Sequence, residues 1–380
     1  MKRPSPLWLI PVAAALLLFV PAVASAQTPN ASTSVPADGT GGAVFTMTNA
    51  VTGNHVLASR IGNEGALIPA GSFATHGSGT GASLADAGSV ILTDDHHFLL
   101  VVNAGSDSVT VFSVSTASSG PVLTYVGPTT SHGPVPVSIA VHGPTVYVLN
   151  AGDASRPGDI AGFQLSSAGR LSFVTGSRQP LSTRAPIGPA QISFDPSGAV
   201  LVVTEKGTNL IDTYSVVGGV ARAPTFTASN GTTPYGFAWG KGGVLIVSDA
   251  ASDALTSYTV SSTGALTVVS GSVADGQTAA CWVAVAHGGT IAYTTNADSS
   301  TISTYAVGSG GTLSLTTAVA ATTGATDTDM AVAGSHGQYL IVLDAGAAEI
   351  QEFGIGGTGG LTPLYGVFSL PATAEGMAAF

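Results

Sequence analysis

One sentence, spoken seven times, constrains this chain more than any other feature. The stretch Leu99–Val114, LLVVNAGSDSVTVFSV, is an apolar run, a small polar turn and then an alternating run. It returns from Thr145, Val200, Val244, Thr290 and Tyr339, and in a diverged form from Val44. The residue at the turn is Asn49, Asn103, Asn150, Glu205, Asp249, Asn296 and Asp344, in steps of 54, 47, 55, 44, 47 and 48 residues. A unit of that length cannot bury its own apolar face, so a recurrence at this period means a stacked or radial array.

Each copy holds four strand-like pieces. The first is short and rich in small residues, and its register residues Ser89, Ser138, Gln191, Gly236, Trp282 and Asp329 keep the period. The second is the apolar run. The third sets an aromatic residue two places before its last aliphatic one, at Phe112, Phe163, Tyr214, Tyr258, Tyr305 and Phe353, with Ser59 there in the first copy. Bulk at one fixed place in every repeat suits packing between neighbouring sheets, not chemistry. The fourth follows a Gly-x-aliphatic hairpin signal and is variable and edge-like; the fourth copy, GGVARAP, keeps only a Gly–Val pair. The first repeat begins at its second strand, near Ala43, and the chain ends on an orphan first strand, Ala374–Phe380. A terminal strand that completes the first blade removes the open edges. The expectation is an all-β chain: a seven-bladed β-propeller of four-stranded antiparallel blades over residues 43–380, closed by its C-terminal strand.

Composition agrees and narrows the partners. Charged residues make up 8% of the chain and Gly accounts for 50 of 380 residues, against roughly a quarter charged in an average soluble domain. Met1–Ala26 reads as a secretory signal peptide: Lys2 and Arg3, an apolar run from Leu7 to Val23, then Ala24-Ser25-Ala26. Residues 27–42 read as a disordered lead-in. The mature protein is then expected to be secreted or periplasmic, free of the membrane and monomeric. Losing Lys2 and Arg3 moves the net charge from −11 to −13 and leaves eight basic residues, which argues against a nucleic-acid partner. Cys281 is the one cysteine, so no internal disulfide or zinc cluster can form, and a buried thiol is expected.

In a propeller the first strands line the channel. Loops between second and third strands, and between blades, emerge on one face; turns between first and second strands emerge on the other. His96, His97, His142, His287 and His336 fall in those latter turns and read as solvated residues. His55, His76 and His132 lie on the candidate face without a second ligand at metal spacing. The ring of Asn and Asp at the second-strand turns could collar a calcium ion, or could serve turn geometry alone. The second reading is preferred, because a site needs asymmetry. Asymmetry appears in the fourth repeat, where Glu205 and Lys206 replace Asn and a small residue. A Glu there is either a general base or half of a surface ion pair worth little. Gln277 and Trp282 enter the sixth channel strand, where they either border a small-molecule pocket or, for Trp282, fill the hub.

FDPSG at 194–198 and the following VVTEKGTNLIDTYSV resemble the fourth blade of the lactonase-family propellers, the group of 6-phosphogluconolactonase and carboxymuconate cyclase. The likeness runs from Ala43 to Phe380. VYVLNAG and VVNAGSDSVTVFSV are also similar to surface propellers of YVTN-type repeats, which bind and do not catalyse. The lactonase resemblance implies metal-independent opening or closure of a small lactone at the channel mouth, without a cofactor. On that reading Glu205 would activate water and Lys206 or Arg184 would steady the oxyanion, with the retained Gln191, and with Gln277 and Trp282 from their place on the sixth channel strand, lining the ligand. The chain departs where family enzymes carry a His-x-His-Gln segment: here Gly188-Pro189-Ala190-Gln191 retains only the Gln. That departure speaks for the alternative, a binding propeller that recognises a protein, glycan or small extracellular ligand. With Arg156, Arg184 and Lys206 as the cations of that face, a phosphorylated substrate is not expected.

Overall fold

Apolar runs without alternation need cover on both faces, and the ring supplies it. The computed structural model describes residues 42–117, 119–183 and 187–380. The expected signal peptide, and the lead-in up to residue 41, lie outside the described residues. The second strands Val200–Glu205, Val244–Asp249, Ile291–Asn296 and Tyr339–Asp344 are buried along their whole length, each between two neighbouring blades.

Seven antiparallel sheets make up the ring. In blade 2, Val90–Leu92, Phe98–Asn103, Ser108–Ala117 and Gly120–Thr130 run from hub to rim. The first strands of blades 3 to 7 are Pro136–His142, Pro189–Phe194, Pro234–Gly240, Ala280–Ala286 and Asp327–Ala333. Blade 1 takes its first strand from the end of the chain. Glu375–Ala379 pairs antiparallel with Ala43–Met47, Val44 facing Ala379 and Phe45 facing Ala378. The amides of Ala43 and Phe380 each donate to the other's carbonyl at 3.1 Å. Closure is as the repeat count requires.

The six third-strand aromatics are at most 2% exposed, each contributing roughly 2–3 kcal/mol of burial. Where they are tyrosines, the hydroxyl ties two blades together. Tyr214 Oη donates to Pro180 O and Tyr305 Oη to Val273 O, both at 3.0 Å. Cys281 is buried, and burial pushes its thiol up to about 12.

The rim differs from blade to blade. In blades 3 and 4 the fourth strand is split, into Leu171–Phe173 with Gln179–Pro180 and into Val220–Ala221 with Thr225–Ala228. Pro224, between the second pair, has no amide to continue the ladder. Among the described residues, no fourth strand carries a charged side chain. In blades 1, 2, 5, 6 and 7 the pairing of the third and fourth strands shifts register instead. Such bulges twist an edge away from further pairing.

Candidate functional site

The polar collar is a set of clasps. Asn49, Asn103, Asn150, Glu205, Asp249, Asn296 and Asp344 are all fully buried. Most reach the third strand seven residues on, or the segment that enters the blade, not their own turn. Asn103 Nδ2 donates to Thr110 Oγ1 at 3.0 Å, and its Oδ1 accepts from Thr75 Oγ1 at 2.7 Å. Asn296 Nδ2 donates to Ser303 Oγ at 2.9 Å. Asp249 accepts from Thr256 Oγ1 at 2.5 Å and Ser229 Oγ at 3.2 Å. A glycine two places after the entering hydroxyl lets the backbone lie on the clasp. A Cβ at Gly77, Gly133 or Gly231 would come within 2.4, 2.6 or 2.2 Å of Asn103, Asn150 or Asp249. The Ser/Thr-x-Gly of Thr75, Ser131 and Ser229 is the sequence signal for this arrangement. Among the described residues, no group of three or more His, Cys, Asp or Glu is disposed to hold a metal ion.

Glu205 belongs to this set. Its Oε1 accepts from the Ser182 amide at 2.8 Å, and its Oε2 from Ser182 Oγ at 2.5 Å and Thr208 Oγ1 at 2.6 Å. Asp212 lies beside it on the third strand. Burial, and then the Glu205 charge, push the Asp212 carboxyl up to about 9, so it keeps its proton at neutral pH.

The mouth itself is occupied by the chain. The connection from blade 1 to blade 2 lays Leu84–Gly88 across the starts of the channel strands as a strap. Leu84 N donates to Glu375 Oε1 at 3.0 Å, and Trp282 Nε1 donates to Asp86 O at 2.8 Å. Ala87 N donates to Ala190 O at 3.0 Å, and Ser138 Oγ to Ala87 O at 2.6 Å. Lys206 Nζ donates to Ala85 O and sits 4.6 Å from the centroid of the Tyr235 ring. The strap thereby holds blades 1, 3, 4 and 6. Its path costs strain, since Ala85 sits at φ +50°, a region that non-glycine residues seldom occupy.

In the strap and beneath it lies a set of groups with displaced protonation. Asp86 is buried with both carboxyl oxygens unpartnered. Burial first, then the charges of Glu375 and Asp329, hold it well above the usual carboxylate range, against the pull of Lys206. Burial brings Asp329 and Glu375 each up to about 7. Burial lowers the Lys206 ammonium to about 8, opposed chiefly by Asp86. Displaced acids and a displaced amine in one place mark a hub able to exchange protons near neutral pH.

The residues singled out from the sequence do not all meet. Lys206 and Trp282 come together through the strap. The Glu205 carboxylate is spent on Ser182 and Thr208. Gln191 stitches two channel strands, its amide giving to Phe237 O at 3.0 Å and accepting from Phe237 N at 2.7 Å. Gln277 rests on Thr301 at 3.3 Å and on Gly276 O at 3.1 Å. Arg184 lies outside the described residues. Sequence reasoning missed Asp86, Asp329 and Glu375; Asp329 and Glu375 sit within channel strands, while Asp86 lies in a connection without a repeat signature.

A family model described as "Lactonase, 7-bladed beta-propeller" matches residues 26–283. Similar solved structures include a Bacteroides uniformis protein assigned as a 6-phosphogluconolactonase. At 15% identity and a TM-score of 0.69, that match covers 89% of this chain and 99% of that one. The Pseudomonas aeruginosa periplasmic gluconolactonase matches at 15% identity and TM-score 0.67, again over 89% and 99%. Virginiamycin B lyase from Staphylococcus aureus matches at 11% identity and TM-score 0.53, over 77% and 88%. At these identities the likeness is one of fold. No curated protein sequence matches the chain.

Proposed function

Since the chain belongs to the lactonase family of seven-bladed propellers, we propose that it uses that scaffold to bind, and does not hydrolyse lactones through Glu205. The state of that carboxylate carries the reading. A general base must have an open oxygen within hydrogen-bond reach of its water. Glu205 has no exposure, and its oxygens already accept three hydrogen bonds from Ser182 and Thr208. The absence of a histidine in Gly188–Gln191 supports the same reading. The test is turnover of a panel of small γ- and δ-lactones by wild type and Glu205→Gln. Equal inertness is expected. Turnover by wild type that falls by about two to four orders of magnitude in the variant, the scale of a lost general base, would overturn the proposal.

A second reading has its own observation. Lys206 is the one cation of the hub among the described residues, beside acids that titrate near neutrality. Such an ammonium could stabilise the oxyanion of an opening lactone, without added metal. Activity lost in Lys206→Met but kept in Glu205→Gln, and unchanged by a chelator, would favour it. We also propose export to the periplasm or medium, on the strength of the Met1–Ala26 segment. N-terminal sequencing of the mature protein should begin at Gln27, and a retained Met1 would refute cleavage.

A further inference from the structure

The opposite end of the hub, on the face of the turns between first and second strands, carries a hollow of about 320 Å³ against blades 2, 3 and 4. Its walls are mixed: Ile91, Ile139 and Ile192, from three successive first strands, form an apolar side, and Asp94, His142, Gln191, Ser193 and Asp195 supply polar groups. A second hollow of about 370 Å³ lies between blades 2 and 3, over Phe98, Pro144 and Leu165. Asp94 lines both hollows.

The polar groups of the rim are unevenly committed. Asp195 spends its oxygens on its own turn, accepting from Val200 N at 2.7 Å and Ser197 Oγ at 2.5 Å. Asp95 is likewise held by Thr93 Oγ1 at 2.6 Å and by His97. Asp94 is exposed and, among the described residues, accepts no hydrogen bond. No Lys or Arg lines either hollow. The corresponding turns of blades 3, 5, 6 and 7 carry no carboxylate, so the negative charge gathers at this one sector.

We propose that this hollow is a binding site for a small organic cation, an ammonium on an aliphatic body, with the body against Ile91, Ile139 and Ile192 and the ammonium on Asp94. The proposal rests on the reading that the chain uses its scaffold to bind, and it names the ligand class. An aliphatic chain gains from leaving water in such a hollow. An ammonium at the rim gains a charge-assisted hydrogen bond to a carboxylate that has no other partner. Asp195 adds attraction without competing as a partner. An anionic ligand meets two carboxylates and no Lys or Arg, with His142 the one basic side chain of the lining, so the site selects against carboxylates and phosphates.

The experiment uses the full chain and three probes of one shape: n-hexylammonium, 1-hexanol and hexanoate, followed by calorimetric titration at pH 7.5. Hexylammonium should bind, with hexanol about tenfold weaker and hexanoate undetectable. Asp94→Asn, an exposed and isosteric change that leaves folding intact, should weaken hexylammonium about tenfold and leave hexanol as it was. Absence of hexylammonium binding overturns the proposal, as does binding that ignores Asp94→Asn or that hexanoate matches. None of these results bears on Glu205, whereas lactone turnover lost in Glu205→Gln would overturn the earlier reading, so the two failures are told apart by the assay in which they occur.

Discussion

Replacing Asp249 by Asn should stabilise the protein, and only above mildly acidic pH. Asp249 is fully buried at a clasp position, and burial pushes its carboxyl up to about 6 despite hydroxyl donors from Thr256 and Ser229. In the unfolded chain it titrates near an ordinary value of about 3.9. The folded state therefore keeps the proton longer. Its contribution is fully present below about pH 3.9 and is lost as pH rises through 6. Above pH 7 the accumulated cost is about 3 kcal/mol, at about 1.4 kcal/mol per pH unit. Asn does not titrate, and four other blades show that it fits at this position, as Asn49, Asn103, Asn150 and Asn296. Thr256 stands seven residues on, as Thr110 does from Asn103 and Ser303 from Asn296, so its hydroxyl can turn from donor to acceptor. For roughly 340 folded residues, 3 kcal/mol corresponds to about 4 °C in Tm. Thermal unfolding of wild type and variant at pH 4 and pH 7.5 is the assay. A variant no more stable than wild type at pH 7.5, or equally stabilised at both pH values, would refute the reasoning.

Other expectations follow from the same structure. Asp212 and Glu352, at about 9 and about 8, and Asp329 and Glu375, each at about 7, are raised in the same sense. Wild-type Tm should therefore fall as pH rises from about 4.5 to 8.5, and a flat or rising profile would contradict their burial as acids. Deleting Ala374–Phe380 strips blade 1 of its first strand, and the product should aggregate or melt at least about 10 °C lower, beyond the ordinary range of a single point change; an unchanged Tm would mean the ring closes otherwise. Cys281, with its thiol at about 12, should resist an aromatic disulfide reagent in the native state and give one thiol per chain in denaturant, whereas rapid native labelling would place it at the surface.

The fold was legible because each of its rules repeats. Packing aromatics recur at one register, and the orphan strand at the C-terminus has one vacancy to fill. The site was less so, because its contacts cross the ring. Glu205 reads as an available base until Ser182, 23 residues earlier, takes both its oxygens. Lys206 stands out as a rare charge, yet its partner Ala85 is 121 residues away in a connection that no other blade copies. Local period carries no information about such pairs. The clasps lay between these cases: Thr75-His76-Gly77 and Ser131-His132-Gly133 do repeat, and the seven-residue step from turn to hydroxyl was there to be counted.

The strap changes how the ring must come apart. In an array whose units touch only their neighbours, stability is a sum of local terms and unfolding frays inward from a seam. Leu84–Gly88 adds bonds from a single segment to blades 1, 3, 4 and 6, so a blade that loosens pulls on others it does not adjoin. The ring is thereby cooperative across its diameter as well as around its circumference. The amides of Ala87 and Ile139, bonded to Ala190 O and Gly88 O at 3.0 Å, should exchange with solvent only when the whole propeller opens.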